Sequence, residues 1–210
     1  EVDHHDLAGS YPWPTPADHK YSRGVLGVVA GSDAYPGAAV LTCSAALHTG
    51  VGMLRYAGPQ RATDQVLARC PEVVPGQGRA QASLLGPGTS GDDRARSQEM
   101  RELARRPEPC VLDAGALALV VERPAGSATV LTPHDGEFER LSGYAPGADR
   151  LAAAGALIAA MPEAKARPKV PDSMDAALAS RACRVGLPVR AYSKPPRMPP
   201  TPSWAKVELA

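Results

Sequence analysis

The chain has 210 residues, a formal net charge of +1, four Cys, one Phe and two Trp. The near-neutral charge gives no electrostatic basis for nucleic acid or an anionic membrane as a partner, and no apolar stretch approaches the roughly 20 residues that span a bilayer. The cysteines are widely spaced, without a CxxC pair or a Cys/His cluster that could bind zinc, so the sequence predicts reduced thiols and a cytoplasmic protein without metal ligands.

Residues 1–19 are polar and proline-rich, which predicts a linker-like arm. The pair His4 and His5 within this arm is expected to be solvated. The chain begins with Glu and shows no basic region followed by an apolar core, as a signal peptide would. We therefore interpret it as a fragment or a processed piece of a longer protein.

The stretch KYSRGVLGVVAGSDAYPGAAVL, residues 20–41, has the order strand, glycine-bearing loop, helix N-terminus. An apolar run at 25–30 predicts a buried strand that ends in Gly31 and Ser32, and a helix is predicted at 37–50. Such a turn presents backbone N–H groups to a ligand with no side chain in the way. The ligand it favours is polar and often anionic, so a nucleotide or phosphate is expected.

The same alternation of strand and helix continues along the chain. Further strands are predicted at 53–57, 82–85, 110–112 and 128–131, and further helices at 62–69, 97–106, 117–122 and 136–141. This order predicts an α/β fold with a mostly parallel sheet flanked by helices. Because ligands of such sheets bind beyond the carboxyl ends of the strands, the polar loops at 31–32, 86–88, 113 and 132–137 are expected to share one edge.

From about Met161 onward the apolar periodicity weakens and prolines become dense. Proline at this density cannot occupy helix interiors or central strands. The sequence predicts a disordered basic tail, with one brief helix at 176–183.

Four segments together resemble the NAD(P)H-hydrate dehydratase family: residues 20–58, LLGPGT, VLDAGAL and VLTPHDGEFERL. The resemblance covers about residues 19–158. It implies a ribokinase-like fold and an ADP- or ATP-dependent dehydration of the S-epimer of hydrated NADH or NADPH, with Mg2+ bridging the nucleotide phosphates. It also implies a homo-oligomer, with an epimerase domain upstream as in bifunctional members.

The resemblance assigns substrate contacts to five residues on the predicted loops. Ala38 and Ala39 follow the Pro-Gly turn, Gly86 and Gly88 lie in LLGPGT, and His134 lies in TPHDGE. Each role is physically reasonable, because small residues permit a close approach of backbone to ligand and a histidine can donate to a phosphate or hydroxyl.

Accessory roles remain open at five further positions. Gly31 and Ser32 belong to the first loop. Lys20 either holds a phosphate or is a solvated charge. Asp113 either contacts a metal through water or anchors a loop. Glu137 either binds magnesium-bound water or caps the following helix, since a carboxylate is favoured at a helix N-terminus.

The chain departs from the family pattern in two places. Gly115 stands in DAGAL where the family has DADAL. The family's KGxxT segment and GxGD loop are absent, so the expected aspartate base is missing and no catalytic residue is assigned; Asp172 and Asp175 lack the flanking glycines. A reading-frame shift near codon 158 would explain the change, and translating the other two frames tests it.

These departures define the predicted organisation: an arm at 1–19, an incomplete dehydratase domain at 20–158 and a divergent tail at 159–210. They also raise the expectation that this chain is inactive. Two alternatives stay open, another ribokinase-like small-molecule kinase and a non-catalytic nucleotide-binding remnant. A plain oxidoreductase is disfavoured because the first loop does not have the GxGxxG spacing.

Overall fold

A computed structural model describes residues 13–89 and 93–160. Within them six parallel strands form one sheet in the order β3-β2-β1-β4-β5-β6. The strands are β1 (Val25–Val29), β2 (Met53–Ala57), β3 (Val74–Pro75), β4 (Ala82–Leu85), β5 (Cys110–Leu112) and β6 (Thr129–Leu131). The helices are α1 (Pro36–Leu47), α2 (Gln60–Arg69), α3 (Arg94–Ala104), α4 (Asp135–Ser142) and α5 (Arg150–Ala160), with a 3-10 helix at Ala114–Glu122. The predicted α/β fold with a parallel sheet is confirmed.

Helix boundaries differ from the predicted ones where a local hydrogen bond decides the end. Helix α3 begins three residues early because the carboxylate of Asp93 accepts from the backbone N–H of Arg96 at 3.0 Å. Helix α1 stops at Leu47, short of the predicted end, because the chain tightens into a turn in which Thr49 N–H donates to Ala46 O.

Two elements were not predicted. Strand β3 has two residues, too few for a periodic pattern. Helix α5 buries Ala153 and Leu157, four residues apart on one helical face. Its start carries a signal that the prediction overlooked, since Asp149 Oδ1 accepts from the backbone N–H of Ala152 at 2.9 Å. The predicted helix at 176–183, the tail and the pair His4 and His5 lie outside the described residues.

Helices cover both faces of the sheet, as parallel sheets require. Helices α1 and α2 pack on one face around Leu54, Tyr56 and Val66. Helices α3, α4, α5 and the 3-10 helix pack on the other around Leu85 and Leu112. The sheet is therefore wound in both directions from its centre.

Small side chains bring helix α1 close to the sheet, because its buried residues are Ala39, Cys43 and Ala46. Cys43, Cys70 and Cys110 are free and buried, as the sequence predicts, and burial raises the pKa of Cys43 to about 12. Cys183 lies outside the described residues. In the described part of the chain no helix is long and apolar enough to cross a membrane.

Candidate functional site

Four strands end in the same row. The pairing registers join Val29 to Leu85, Leu85 to Leu112, and Leu112 to Leu131. The residues that follow are therefore neighbours along one edge, which we call the rim (residues 30–35, 86–89, 113–116 and 132–137). With about 4.8 Å between strands the rim extends about 14 Å. All the loops that the sequence assigned to one edge lie on it.

The chain reverses its winding direction at β1. Strands β2 and β3 lie on one side of β1, while β4, β5 and β6 lie on the other. In open parallel sheets ligands bind in the crevice outside the carboxyl ends of the strands at such a switch point. The loops after β1 and β4 form the two walls of that crevice.

The two crevice loops are joined by hydrogen bonds. Gly86 N–H donates to Val29 O at 2.9 Å, and Gly31 N–H donates to Pro87 O at 2.7 Å. Gly88 has φ +68°, and a Cβ there would overlap that of Ala38. The glycines are therefore required by the close approach of the loops.

Predicted residues Ala39 and Gly31 lie in the same cluster. Gly31 has φ +76°, and a Cβ there would come within 2.9 Å of the Ala39 Cβ. Ser32 shapes the rest of the loop, because its Oγ accepts from Tyr35 N–H at 3.1 Å. The structure thus brings Ala38, Ala39, Gly31, Gly86 and Gly88 together at the crevice.

The N-terminus of helix α1 opens into this crevice without a cap. Tyr35 at the N-cap position makes no side-chain hydrogen bond to the helix, Pro36 occupies the first turn, and that turn holds no acidic residue. The positive end of the helix dipole is therefore neutralised by no side chain of its own helix, which suits an anionic ligand group.

The loop after β5 is anchored to the loop after β6. Asp113 Oδ1 accepts from the hydroxyl of Thr132 at 2.7 Å, which is the loop-anchoring role of the two left open by the sequence. The next residue, Ala114, has φ +45°, a left-handed conformation that costs about 1–2 kcal/mol for a residue with a Cβ. Backbone strain of this kind is concentrated at functional sites.

Gly115, where the chain departs from DADAL, faces the loop after β4. A Cβ at this position would lie 2.8 Å from Thr89 Oγ1 and 3.0 Å from Thr89 O. The hydroxyl of Thr89 in turn donates to Gly86 O at 2.8 Å. The absence of a side chain at 115 lets these two rim loops touch.

His134 and Glu137 form a capping box at the start of helix α4. His134 Nδ1 accepts from the backbone N–H groups of Gly136 and Glu137, at 3.1 and 3.4 Å. The Glu137 carboxylate accepts from the backbone N–H of His134 at 2.9 Å. Of the two roles left open for Glu137, the structure shows the cap.

The His134 ring keeps a face toward solvent while it caps the helix. Its side chain is 47% exposed, and its Nε2 lies 3.3 Å from Glu137 Oε1. Because Nδ1 accepts two N–H bonds, the ring proton belongs on Nε2. His134 stands at the β6 end of the rim, three strands from the Gly31 loop.

Lys20 is not brought to the rim. It precedes β1 and stands at the amino end of that strand, where its carbonyl packs against Gly52 and its Nζ lies 5.1 Å from the Tyr21 ring centroid. Five residues of strand separate it from the Gly31 loop, about 17 Å at the rise of a β-strand. This placement separates Lys20 from the Gly31 loop, so the two cannot bind one phosphate together.

Two rim contacts were missed by sequence reasoning. The Tyr56 hydroxyl donates to Ala30 O at 2.8 Å, and Arg61 donates from its Nη1 to Asp33 O at 3.0 Å. Both support the Gly31 loop from the β2–α2 side. Tyr56 was placed correctly in a strand, but a strand pattern carries no information about the partner of a hydroxyl.

In the part of the chain that the structure describes, no group of three or more His, Cys, Asp or Glu could hold a metal ion. Asp113 and Glu137 are each engaged in hydrogen bonds within the rim. Mg2+ is commonly held by one or two carboxylates together with substrate phosphates. The described residues therefore do not fit a metal cage built from protein ligands alone.

Comparison with known proteins gives one consistent family. The family model described as NAD(P)H-hydrate dehydratase matches residues 26–164. The bifunctional NAD(P)H-hydrate repair enzyme of Mycobacterium tuberculosis is 45% identical over 158 residues, which cover 70% of this chain and 33% of that protein. The chain thus spans about a third of the length of this relative. The ADP-dependent (S)-NAD(P)H-hydrate dehydratase of Xanthomonas campestris is 32% identical, with 63% of this chain and 53% of that protein covered.

Solved structures show the same fold. A ribokinase-like superfamily protein from Enterococcus faecalis superposes with a TM-score of 0.61 at 22% identity, covering 70% of this chain and 58% of that chain. The ADP/ATP-dependent NAD(P)H-hydrate dehydratase of Bacillus subtilis, co-crystallised with ATP/Mg2+, gives a TM-score of 0.59 at 24% identity, covering 72% and 59%. The ribokinase-like fold implied by the motifs is therefore confirmed.

Proposed function

Because this chain belongs to the NAD(P)H-hydrate dehydratase family, we propose that its rim binds the S-epimer of hydrated NADH or NADPH in the cytoplasm. The observation that carries the proposal is the crevice at the β1/β4 switch point. There the Gly31 and Gly88 loops pack closely together beside the uncapped N-terminus of α1, so that no side chain stands between that helix end and the rim. A dinucleotide phosphate fits the positive helix end, while the rest of the molecule extends along the rim toward His134.

The proposed reaction is the one that the family relationship implies. A phosphoryl group passes from ADP or ATP to the ring hydroxyl of the hydrate, whose proton goes to a base. The C–O bond then breaks, inorganic phosphate leaves, and loss of a proton from the neighbouring carbon restores NAD(P)H. Positioning and charge neutralisation provide most of the catalysis of such a transfer, and Mg2+ is proposed to arrive with the nucleotide phosphates.

The described residues account for binding and orientation. The glycine loops and the α1 N-terminus hold the dinucleotide, and the Asp113–Thr132 bond keeps two rim loops together. No described residue is assigned as the base that a hydroxyl nucleophile requires. We therefore propose that the rim binds the substrate, and that turnover needs the KGxxT and GxGD segments that this sequence lacks.

Titration of the full chain with hydrated NADH, followed by calorimetry, tests binding. We expect saturable one-site binding that NADH itself competes for. Failure of the chain to bind either dinucleotide would contradict the proposal. Addition of ADP or ATP with Mg2+ then distinguishes the enzyme from a second candidate, a non-catalytic binding remnant, because only the enzyme restores the absorbance of NADH.

The remnant is favoured by one observation, the absence of the two catalytic segments from the sequence. If the chain is such a remnant, binding persists and the absorbance of NADH does not recover.

We further propose a homo-oligomer and an upstream epimerase domain in the full-length protein, with the dehydratase domain at 20–158, an arm at 1–19 and a tail at 159–210. Sedimentation of the full chain tests the first of these.

Substitution of His134 separates its two roles. His134→Ala removes the cap of α4 and should lower the free energy of unfolding by about 1 kcal/mol, the usual cost of a lost N-cap. His134→Asn keeps a capping side chain and should restore most of that stability. If the ring also contacts the substrate, both variants bind hydrated NADH more weakly. Urea unfolding and calorimetry give the two readings, and full affinity in His134→Asn would reduce the residue to a helix cap.

A further inference from the structure

The peptide unit between Ala30 and Gly31 is held from both sides. Its carbonyl accepts from the Tyr56 hydroxyl at 2.8 Å, and its N–H donates to Pro87 O at 2.7 Å. One planar group thus joins strand β2 to the loop after β4 across the end of β1. Since the peptide is rigid, the orientation that Tyr56 gives to the carbonyl is passed to the N–H.

The Tyr56 hydroxyl is buried in a space that neighbouring residues leave open for it. Tyr56 is 1% exposed, so its hydroxyl has no water to replace the bond to Ala30. A Cβ at Gly58 would overlap the hydroxyl oxygen of Tyr56. Residue 58 must therefore be glycine for the tyrosine to keep this position. Burial raises the pKa of Tyr56 above its ordinary value, which keeps the hydroxyl protonated as a donor.

The fixed peptide lies at the base of the crevice. Gly31 touches Ala39 on one side, and the Cα of Gly31 lies 3.5 Å from where a Cβ of Gly88 would stand. Any rotation of the Ala30–Gly31 peptide therefore changes the separation between the two glycine walls. A shape-selective crevice depends on that separation being constant.

We infer that Tyr56 is a positioning residue of the binding crevice: its hydroxyl orients the Ala30–Gly31 peptide and so sets the distance between the Gly31 and Gly88 loops. The part of this inference that concerns affinity rests on the proposed function. The part that concerns the peptide does not. Tyr56 is 1% exposed and offers almost no surface to a ligand, so its effect on binding passes through this peptide.

Two measurements on Tyr56→Phe test the inference. Hydrogen exchange should show the Gly31 amide opening at least ten-fold faster, after normalisation to the amides of β5, while the rest of the sheet keeps its relative protection. Calorimetry with NADH as the probe should show about ten-fold weaker binding. Tyr144→Phe is the matched control, because that hydroxyl also donates to a backbone carbonyl, Ala153 O at 3.3 Å, away from the crevice. It should change neither reading.

A second variant breaks the hydrogen bond between the Tyr56 hydroxyl and Ala30 O without changing Tyr56 itself. Gly58→Ala displaces the hydroxyl without deleting it and should reproduce both effects. If Gly31 exchanges in step with β5 in Tyr56→Phe and Gly58→Ala, the hydroxyl is merely structural and the inference is overturned. If the unchanged chain binds no NADH, the proposed function fails, while the exchange of the Gly31 amide still decides the role of Tyr56.

Discussion

Replacement of Arg123 by methionine should lower the free energy of unfolding by about 3–5 kcal/mol, because several buried carbonyls would lose a donor at about 1–3 kcal/mol each. Arg123 is 4% exposed. Its guanidinium reaches four backbone carbonyls and one hydroxyl, those of Ala104, Arg106, Glu108, Ala128 and Thr129, at 2.6 to 3.3 Å. One side chain thereby ties the end of helix α3, the loop that follows and the start of β6 together.

The cost arises mainly from the acceptors that the substitution leaves behind. Methionine fills a similar volume but donates no hydrogen bond, so several buried carbonyls would lose a partner. Two of these carbonyls, Ala104 O and Arg106 O, lie at the C-terminal end of α3, where a cation is also favoured by the helix dipole. The substitution therefore removes both the hydrogen bonds and the favourable charge that Arg123 supplies.

Urea unfolding followed by circular dichroism measures the effect, with two reference variants. Arg105→Met removes a side chain that is 61% exposed and pairs with Glu122, so it should cost no more than about 1 kcal/mol. Arg123→Lys keeps the charge but loses the planar fork and should fall between the two. Equal stabilities of Arg123→Met and Arg105→Met would show that the buried network contributes nothing.

The sequence was sufficient to predict five of the six described strands and the rim, because both are local features. An apolar run such as 25–30 followed by Gly31 and Ser32 identifies a buried strand and its end, whatever lies beside it. Parallel strands finish at one edge, so loops that follow them must converge. Gly31, Gly86, Gly88 and Asp113 could be grouped in this way without knowledge of strand order.

Strand order itself is not local, and neither are the partners of single polar groups. Strand β1 pairs with both β2 and β4, and this pairing determines where the crevice lies. No residue in β1 indicates which strands will be its neighbours. Arg123 reads in the sequence as a surface arginine in a polar loop, and Tyr56 as an ordinary strand residue. Each has its role because of carbonyls that are brought to it from distant segments.

The structure shows what the groups with open roles are bonded to. The Glu137 carboxylate accepts from His134 N–H in the helix cap, and this bond leaves its other lone pairs available. Asp113 could face a metal only with the oxygen that Thr132 does not use. Lys20 lies away from the rim, because a residue that precedes a parallel strand stands at the opposite edge of the sheet from one that follows it.

A methyl group added at Gly88, where the two crevice walls meet, should also cause a large loss of stability. Gly88→Ala should lower the free energy of unfolding by about 2–5 kcal/mol, since the positive φ costs about 1–2 kcal/mol and overpacking against the Ala38 Cβ adds about 1–3 kcal/mol. Gly126→Ala separates these costs, because Gly126 has φ +78° and nothing within 4 Å. It should show the conformational cost alone.

Adding Ala38→Gly to Gly88→Ala should then recover stability. The overlapping Cβ is removed, and the nearest remaining atom to the new methyl group is Tyr35 O at 3.3 Å. Ala38→Gly alone should cost up to about 1 kcal/mol in the first turn of α1, so a double-mutant cycle in urea should give a favourable coupling of at least about 1 kcal/mol. Additive losses would mean that the two walls of the crevice do not touch, and the close approach that gives the crevice its shape would be refuted.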